Sequence, residues 1–344
     1  MNHHNRITAL DSLRGIAALM VCLFHFDVFN NGSTGVDLFF MISGFVIFMS
    51  LANSSNIKGF WIARLIRLFP TYWLSILIAI IIAKTFTSYG LISQTGIRFY
   101  VGNILMLQPL FNTPNLLGSY WTLYVELLFY FSLSFIFFTQ LNKHIELVIT
   151  AGLILVIGVN VGYYYFGHSP AYEHFYIVIR HLNPLIIYFP SFAAGIVFYI
   201  IYNSGFNFYR VLLLISIICI TAITHRYSIM INMYVTSIAH VTYLLLYYLA
   251  FVTIVFKWDT LLKLRPLIIL GEISYAFYLI HESTALVLNY YLQPVIGGLM
   301  AKTLSILITL LVAYIITRYF DLPLRGFLKN KLSPNRKTAP YTIV

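Results

Sequence analysis

The sequence of 344 residues has few charged side chains: Asp, Glu, Lys and Arg make up 9% of it, against 60% hydrophobic residues. Soluble globular proteins carry about 25% charged residues. This chain therefore lacks the polar side chains that would cover a surface in contact with water. The shortage of charge excludes a soluble globular protein and predicts a protein of the lipid bilayer.

Cysteine is also scarce, because Cys22 and Cys219 are the only two and both lie in apolar runs. Two separated thiols provide neither a disulfide framework nor a cysteine-based zinc site. The first apolar run is not followed by a small-residue cleavage site, so we expect a retained span rather than a signal peptide. The net charge of +11 is spread over loops between apolar runs. That spread indicates membrane topology, and we expect no nucleic-acid partner.

Apolar runs of about 20 residues, the length that crosses a bilayer, recur along the chain. They predict an all-α, polytopic transmembrane helix bundle of about ten spans. A shorter run at 96–111, which contains Arg98 and Gln108, could be an interfacial or re-entrant helix or an eleventh span. We expect one transmembrane domain over 1–326 and a basic cytoplasmic tail over 327–344. The predicted spans are at about 8–28, 36–51, 68–86, 119–139, 145–166, 182–202, 209–224, 234–256, 267–291 and 299–320.

The distribution of Lys and Arg predicts the orientation, because cytoplasmic loops carry an excess of both. With ten spans and a cytoplasmic N-terminus, fifteen of the 21 Lys and Arg residues fall in inside segments and five in outside segments, while Arg14 lies within the first span. This asymmetry predicts that both termini are cytoplasmic.

Ionisable side chains inside spans are costly and usually functional. Arg14 and His25 are eleven residues apart, about three helical turns, so they lie on one face of the first helix and roughly 16 Å apart along its axis. Each alone could be a helix-packing or snorkelling residue, but the pair resembles the wall of a cavity that crosses the membrane. The ionisable residues assigned to spans are Arg14, His25, Asp37, Glu126, Glu272, His281 and Glu282.

Glu126 and Asp37 are predicted to reach the same outer depth as His25, where a carboxylate could orient the imidazole of a general base. Asp37 could instead be a helix N-cap. Because His281 and Glu282 are adjacent, they point about 100° apart on a helix, and we expect no simple shared site; Glu282 could be a structural partner. We predict no metal site. The histidines read as surface residues are His3, His4, His144, His168, His174 and His225.

Five segments in order resemble the motifs of acyltransferase family 3, the membrane enzymes that O-acylate bacterial surface glycans and some secondary metabolites. They are DSLRGIAALMVCLFHF, GVDLFFMISGF (35–45), RLIRLFPTYW (64–73), SYWTLYVELLFY (119–130) and GEISYAFYLIH (271–281). A last segment, RYFDLPLR (318–325), is similar to a Glu-x-Pro element, with Asp321 in place of Glu. The resemblance covers about residues 6–326 and is to the stand-alone form, without a soluble esterase-like domain.

The resemblance implies that His25 is the catalytic base, with Glu126 and then Asp37 as the orienting acids. It also implies that other motif positions line the site, although Ser43 is more typical of a small helix-packing residue. The remaining site-lining positions that it implies are Ser43, Trp121, Tyr275 and His281.

The donor implied by the resemblance is cytoplasmic acyl-CoA, most commonly acetyl-CoA, and no further cofactor is expected. Arg64 and Arg67, one helical turn apart on an inside loop, would bind its phosphates, or could only be topological signals. Arg14 would contact the donor deeper in the membrane. The implied acceptor is a surface glycan or lipid-linked sugar, and the implied location is the bacterial inner membrane, in contact with lipid.

A proton-coupled transporter that uses His25, Glu126 and His281 is the alternative function. The sequence shows no inverted repeat of the kind that transporters use, and the paired arginines favour the transferase. The residues leave open whether the acyl group passes through a covalent His25 intermediate, which acyl group and acceptor are used, and which oligomer forms.

Overall fold

The computed structural model describes residues 7–54, 56–92, 94–167, 169–225 and 234–332, and the regular structure in these ranges is helical. Two π-helical turns, His281–Leu286 and Ile316–Asp321, interrupt the last third of the described chain. The α-helices are α1 (Thr8–His25), α2 (Gly35–Ala52), α3 (Ile57–Thr85), α4 (Ile97–Ile104), α5 (Trp121–Phe138), α6 (Ile145–Phe166), α7 (Pro170–Ile179), α8 (Asn183–Ser204), α9 (Phe208–Thr224), α10 (Ser237–Val255), α11 (Arg265–Ile280), α12 (Val287–Ile296), α13 (Gly298–Ile315) and α14 (Leu322–Leu332).

The prediction of a polytopic helical membrane protein is confirmed. Eight helical segments among the described residues are long and apolar enough to cross a membrane, and each corresponds to one of the ten predicted spans. The two other predicted spans, 209–224 and 267–291, also correspond to helical segments, α9 and the segment from α11 to α12. Helix α9 is a shorter apolar helix of 17 residues, and the segment from α11 to α12 is divided by the π-helical turn that carries His281 and Glu282.

The run at 96–111 does not form an eleventh span, because α4 is eight residues long and ends at Ile104. A 3-10 turn at Gln108–Phe111 follows it. Asn103 is fully buried, and its side-chain oxygen accepts a hydrogen bond from the Leu116 amide at 2.7 Å. The polar residues of this run therefore hold a short, folded-back segment together.

Helix α3 begins eleven residues before the predicted span. The Asn56 side chain caps it by accepting the Gly59 amide, as helix N-caps do, and no proline lies between Asn56 and Arg67. At 1.5 Å per residue, 29 residues extend about 44 Å, which exceeds a hydrocarbon core of about 30 Å. Arg64 and Arg67 therefore lie on a helix, and their placement on a loop was wrong.

The chain divides into two compact units. Unit 1 comprises Met1–Phe29, Ser54–Tyr124 and Leu262–Val344, and unit 2 comprises Asn30–Asn53 and Val125–Leu261. The single domain predicted over 1–326 therefore contains two units built from interleaved parts of the chain. Residues 333–344 of the predicted tail lie outside the described residues.

Helices α1 and α11 form the centre of unit 1, and two glycines let their backbones touch. A Cβ atom on Gly15 would lie 2.7 Å from the Gly271 nitrogen, and one on Gly271 would overlap the carbonyl group of Asp11. Small residues allow such close approach between membrane helices, which is a main source of their association. Both glycines belong to the family-like motifs, and their helices carry His25 and lead to His281.

Unit 2 contains an equivalent close pair, formed by α2 and α8. A Cβ atom on Gly44 would overlap the carbonyl group of Phe192, and one on Gly195 would overlap that of Met41. Around this contact, Phe192 stacks on Phe129 with ring centroids 3.9 Å apart. The pair places Asp37 and Ser43 of α2 in the interior of unit 2.

The predicted orientation can be tested at two exposed positions. Cysteine at position 180 should react with a membrane-impermeant thiol reagent in intact cells, and cysteine at position 331 should react only after lysis. Arg180 and Lys331 are both exposed, so a difference in labelling would report the side of the membrane. The background should lack Cys22 and Cys219. Labelling at 331 alone in intact cells would reverse the orientation.

Candidate active site

The π-helical turn at His281–Leu286 continues directly from α11. Single π-helical turns inside α-helices are rare and occur often at functional sites. Here the turn brings the side chains of both His281 and Glu282 to the end of α1. The expectation that these adjacent residues share no site was therefore wrong, because two side chains that leave a helix about 100° apart can still reach the same third residue.

His25, His281 and Glu282 form the candidate site, all within unit 1. The His25 Nε2 atom lies 3.4 Å from the Glu282 Oε1 atom, and the two imidazole rings have centroids 5.2 Å apart. One nitrogen or oxygen from each residue lies within 4.8 Å of the others. The His25 side chain is 29% exposed, while His281 is 1% exposed. The His25 imidazole is therefore the accessible member of the cluster.

Glu282 is held by the segment that precedes α5. The Ser119 amide donates a 2.7 Å hydrogen bond to Oε1 of Glu282. The absence of a side chain at Gly118 leaves room for the carboxylate, since a Cβ atom there would lie 3.1 Å from Oε1. The Tyr278 hydroxyl lies 3.2 Å from the Ser119 carbonyl and anchors this segment to α11. These contacts fix the carboxylate that faces His25.

His281 has a defined tautomer. Its Nδ1 atom lies 2.6 Å from the Tyr278 carbonyl oxygen, which can only accept, so Nδ1 carries the proton and Nε2 carries a lone pair. The Nε2 atom is buried and has no hydrogen-bond partner among the described residues. His281, a member of the cluster with His25 and Glu282, therefore has a buried nitrogen that is free to accept a hydrogen bond or to bind a ligand.

Lys302, which the sequence analysis did not single out, secures the end of α1. Its Nζ atom donates a 2.6 Å hydrogen bond to the Phe26 carbonyl, one residue beyond His25. A cation at a helix C-terminus also interacts favourably with the helix dipole. The contact fixes the last turn of α1 and hence the position of His25.

Arg14 lies at the other end of the polar strip on α1, as predicted. Its Nη1 atom is 3.1 Å from Oδ1 of Asp11, and the two side chains are 12% and 9% exposed. Asp11 was not selected from the sequence, although an acid three residues before Arg14 in a predicted span is a visible signal. The arginine charge is therefore balanced inside unit 1.

The two arginines of α3 differ in burial. Arg64 is 6% exposed and lies over the Phe60 ring at 5.6 Å, while Arg67 is half-buried. The Arg67 carbonyl accepts a 3.1 Å hydrogen bond from Arg325. Arg64 is therefore a packed helical residue and not the loop residue that the sequence predicted.

Asp321, which replaces the usual Glu of the family element, binds two neighbours. Its Oδ2 atom lies 2.7 Å from Nη2 of Arg325, and its Oδ1 atom accepts a 2.6 Å hydrogen bond from Thr71. The residue joins the π-helical turn at Ile316–Asp321 to α3 and α14. Both carboxylate oxygens of Asp321 therefore have a partner, although the side chain is shorter than that of Glu.

Two motif residues predicted to line the site lie in unit 1. Tyr275 of α11 donates a 2.8 Å hydrogen bond from its hydroxyl to the Leu68 carbonyl of α3. Trp121 is the first residue of α5 and is half-buried. Their predicted lining of a substrate site stays a prediction.

Glu126 and Ser43 contact each other in unit 2. The Ser43 hydroxyl lies 3.3 Å from Oε1 of Glu126, and the Tyr130 hydroxyl also donates to this oxygen. The structure identifies Glu282 as a carboxylate beside His25, a residue for which the sequence suggested only a structural role. The orienting role proposed for Glu126 stays a prediction.

Asp37 belongs to a buried polar network of unit 2. Its Oδ1 atom accepts a 2.7 Å hydrogen bond from Ser191, and its Oδ2 atom lies 3.1 Å from Nε2 of His240. The ring of His225 is 5.1 Å from that of His240. His225 is 3% exposed, so its assignment to the surface was wrong. His240 was missed, although it is a histidine inside the predicted span 234–256.

Asp37 does not act as a helix N-cap, because Thr34 occupies that position and no side chain caps α2. Both Asp37 oxygens have partners in unit 2, and its role as the second orienting acid for His25 stays a prediction. The network explains by itself why a carboxylate is placed at this depth, since a buried charge requires a partner and hydrogen bonds.

Comparison with known proteins gives the chain a family. A family model described as an acyltransferase domain matches residues 7–318. Relatives include YrhL of Bacillus subtilis (33% identical over 146 residues; 37% of this chain and 23% of the relative) and the peptidoglycan O-acetyltransferase OatA of Listeria monocytogenes (29% over 181 residues; 46% and 29%). A third is the O-acetyltransferase OatA of Staphylococcus aureus (26% over 377 residues; 96% and 60%).

The chain spans 23–60% of the length of these three relatives. No solved structure matches it. The family match extends over most of the chain. It includes α1 with His25, α3 with Arg64 and Arg67, and α11 with the π-helical turn that follows it. The protein therefore belongs to acyltransferase family 3.

Proposed function

We propose that this protein is a membrane-embedded O-acetyltransferase. It moves an acetyl group from cytoplasmic acetyl-CoA to a hydroxyl of a surface glycan or lipid-linked sugar on the outer side of the membrane. The observation that carries the proposal is the contact between His25 and Glu282, 3.4 Å apart, at the accessible end of a helix inside an acyltransferase domain. The bacterial inner membrane is the location that fits this reaction.

His25 acts as the general base. Nε2–H of His25 donates a hydrogen bond to the Glu282 carboxylate, so the lone pair of the imidazole is on Nδ1. Nδ1 then receives the proton of the acceptor hydroxyl. As that proton transfers, the hydroxyl oxygen bonds to the thioester carbonyl carbon and the carbon–sulfur bond breaks. The thiolate leaves and takes up the proton from the imidazolium. Glu282 stabilises the imidazolium through its negative charge.

The donor phosphates bind near the N-terminal half of α3. Arg67 is half-buried and extends from a helix that is longer than the hydrocarbon core. Guanidinium groups form charge-assisted, paired hydrogen bonds with phosphate. Arg64 is largely buried, so it contributes positive charge near the phosphates without contacting them. Arg14 lies deeper, along the polar strip on α1.

Arg67→Ala should weaken acetyl-CoA binding by roughly 10- to 150-fold, since a hydrogen bond to a charged group contributes about 1.5–3 kcal/mol. Isothermal titration with purified protein would measure the change. Lys263→Ala is the matched control, because it removes a basic residue between α10 and α11. Equal affinity in the Arg67→Ala variant and the wild type would show that Arg67 does not bind the donor and serves only to set the membrane topology.

The acceptor class is supported by the relatives. The Listeria protein is named a peptidoglycan O-acetyltransferase, and the Staphylococcus protein an O-acetyltransferase. A muropeptide or a lipid-linked disaccharide is therefore the first acceptor to supply. We propose the acetyl group because both of these names specify it.

The proposed reaction has two products that can be measured together. Purified protein supplied with acetyl-CoA and a muropeptide should release free CoA thiol, and mass spectrometry should detect an acetylated glycan whose ester is cleaved by mild base. A proton-coupled transporter would yield neither product. Thiol release without an acetylated glycan would show hydrolysis and would require another acceptor.

A further inference from the structure

The Nε2 atom of His281 is not used by the proposed general-base reaction. It is buried, holds a lone pair because Nδ1 donates to the Tyr278 carbonyl at 2.6 Å, and has no hydrogen-bond partner among the described residues. A buried polar atom without a partner costs about 1–3 kcal/mol. A ligand that binds this nitrogen would remove that cost.

Two further possible ligand atoms lie close to His281. One nitrogen of His25 and one carboxylate oxygen of Glu282 lie within 4.8 Å of each other and of a His281 nitrogen. Two imidazoles and one carboxylate are the protein ligands of a common type of zinc site, in which the fourth position stays open.

The surrounding contacts are those of a metal site. Imidazole ligands of metals generally donate their second ring N–H to a carbonyl or carboxylate, and ligating carboxylates are themselves hydrogen-bonded. His281 donates to the Tyr278 carbonyl, and Glu282 accepts the Ser119 amide at 2.7 Å. These contacts fix the side chains of both buried ligands.

We propose that His25, His281 and Glu282 bind one divalent transition-metal ion, with Zn²⁺ as the ion that best fits two nitrogen ligands and one oxygen ligand. Mg²⁺ and Ca²⁺ prefer sites made entirely of oxygen, whereas imidazole suits Zn²⁺, Cu²⁺ and Ni²⁺. The side chain of His25, 29% exposed, provides the entry path.

Metal binding regulates the same site, and this consequence rests on the proposed function. A neutral His25 imidazole that binds Zn²⁺ through Nε2, the nitrogen beside Glu282, carries its proton on Nδ1, so Nδ1 can no longer accept the proton of a hydroxyl. A carboxylate bound to the ion also no longer supports the imidazolium. Zn²⁺ is therefore an inhibitor of the acetyl transfer. The inhibition should follow the occupancy of the site.

Binding can be measured without any enzymatic assay. Protein purified without a polyhistidine tag and stripped with a chelator should take up one Co²⁺ per chain, giving the visible absorption of a low-coordinate Co²⁺ site. Zn²⁺ should displace it. His281→Gln and Glu282→Gln should each weaken Zn²⁺ binding by at least about 100-fold, since loss of an outer contact alone costs roughly 10–100-fold. His144→Gln, at an exposed histidine, should leave it unchanged.

Absence of stoichiometric Zn²⁺ binding to the wild type would overturn the proposal, and so would binding that persists in both His281→Gln and Glu282→Gln. If one of these variants fails to fold by size-exclusion chromatography, the other and His25→Gln decide the outcome. In the second arm, Zn²⁺ should inhibit thiol release from acetyl-CoA by the wild type in proportion to occupancy. A protein that binds Zn²⁺ but transfers no acetyl group would contradict the proposed function alone.

Discussion

Replacing His25 by alanine is expected to lower the rate of acetyl transfer by about 10²–10⁴-fold, the usual loss when a general base is removed. The imidazole is partly exposed, so its removal leaves little buried space, and the α1–α11 contact that positions it depends on Gly15 and Gly271 instead. Thiol release from acetyl-CoA in the presence of a glycan acceptor measures the effect.

Two variants accompany this measurement. Glu282→Gln should lie between His25→Ala and the wild type, because the base remains while its imidazolium loses a negative partner. His144→Ala removes an exposed histidine and should retain full activity. Wild-type activity in His25→Ala would rule out the general-base role, and loss of monodisperse protein would instead assign His25 a structural role.

Gly271→Ala should destabilise the protein strongly and abolish activity together with it. The added Cβ atom would overlap the main-chain carbonyl of Asp11, and neither backbone can yield without separating α1 from α11. Overpacking in a well-packed interior costs typically about 1–3 kcal/mol, and contact with a helix backbone should place this variant at or above that range. Thermal unfolding in detergent, followed by intrinsic fluorescence, would measure the loss.

The matched control is Gly158→Ala in α6, where an added Cβ atom meets nothing within 4 Å. Alanine is favoured over glycine in a helix by about 0.8–1.0 kcal/mol, so this variant should be as stable as the wild type or slightly more stable. If both variants unfold at the wild-type temperature, the close contact at Gly271 contributes no measurable stability.

The sequence by itself determined the class of protein and most of its helices. Hydrophobicity is a local property, and a segment of about 20 apolar residues in lipid must satisfy its own backbone hydrogen bonds as a helix. Spans such as 145–166 and 182–202 therefore correspond closely to α6 (Ile145–Phe166) and α8 (Asn183–Ser204). Hydropathy alone did not locate the start of α3, since Asn56 caps the helix before a stretch that contains Lys58, Arg64 and Arg67.

The sequence also determined which residues to examine, including His25, Arg14 and His281, because an ionisable group within an apolar run stands out. Only the tertiary structure decided their partners. Glu282 is 257 positions from His25 in the chain, and two features accompany their contact: the glycine pair that lets α1 and α11 touch, and the π-helical turn in which Glu282 lies. Helical periodicity describes one regular helix, so it could predict neither a π-helical turn nor which distant helix supplies the carboxylate.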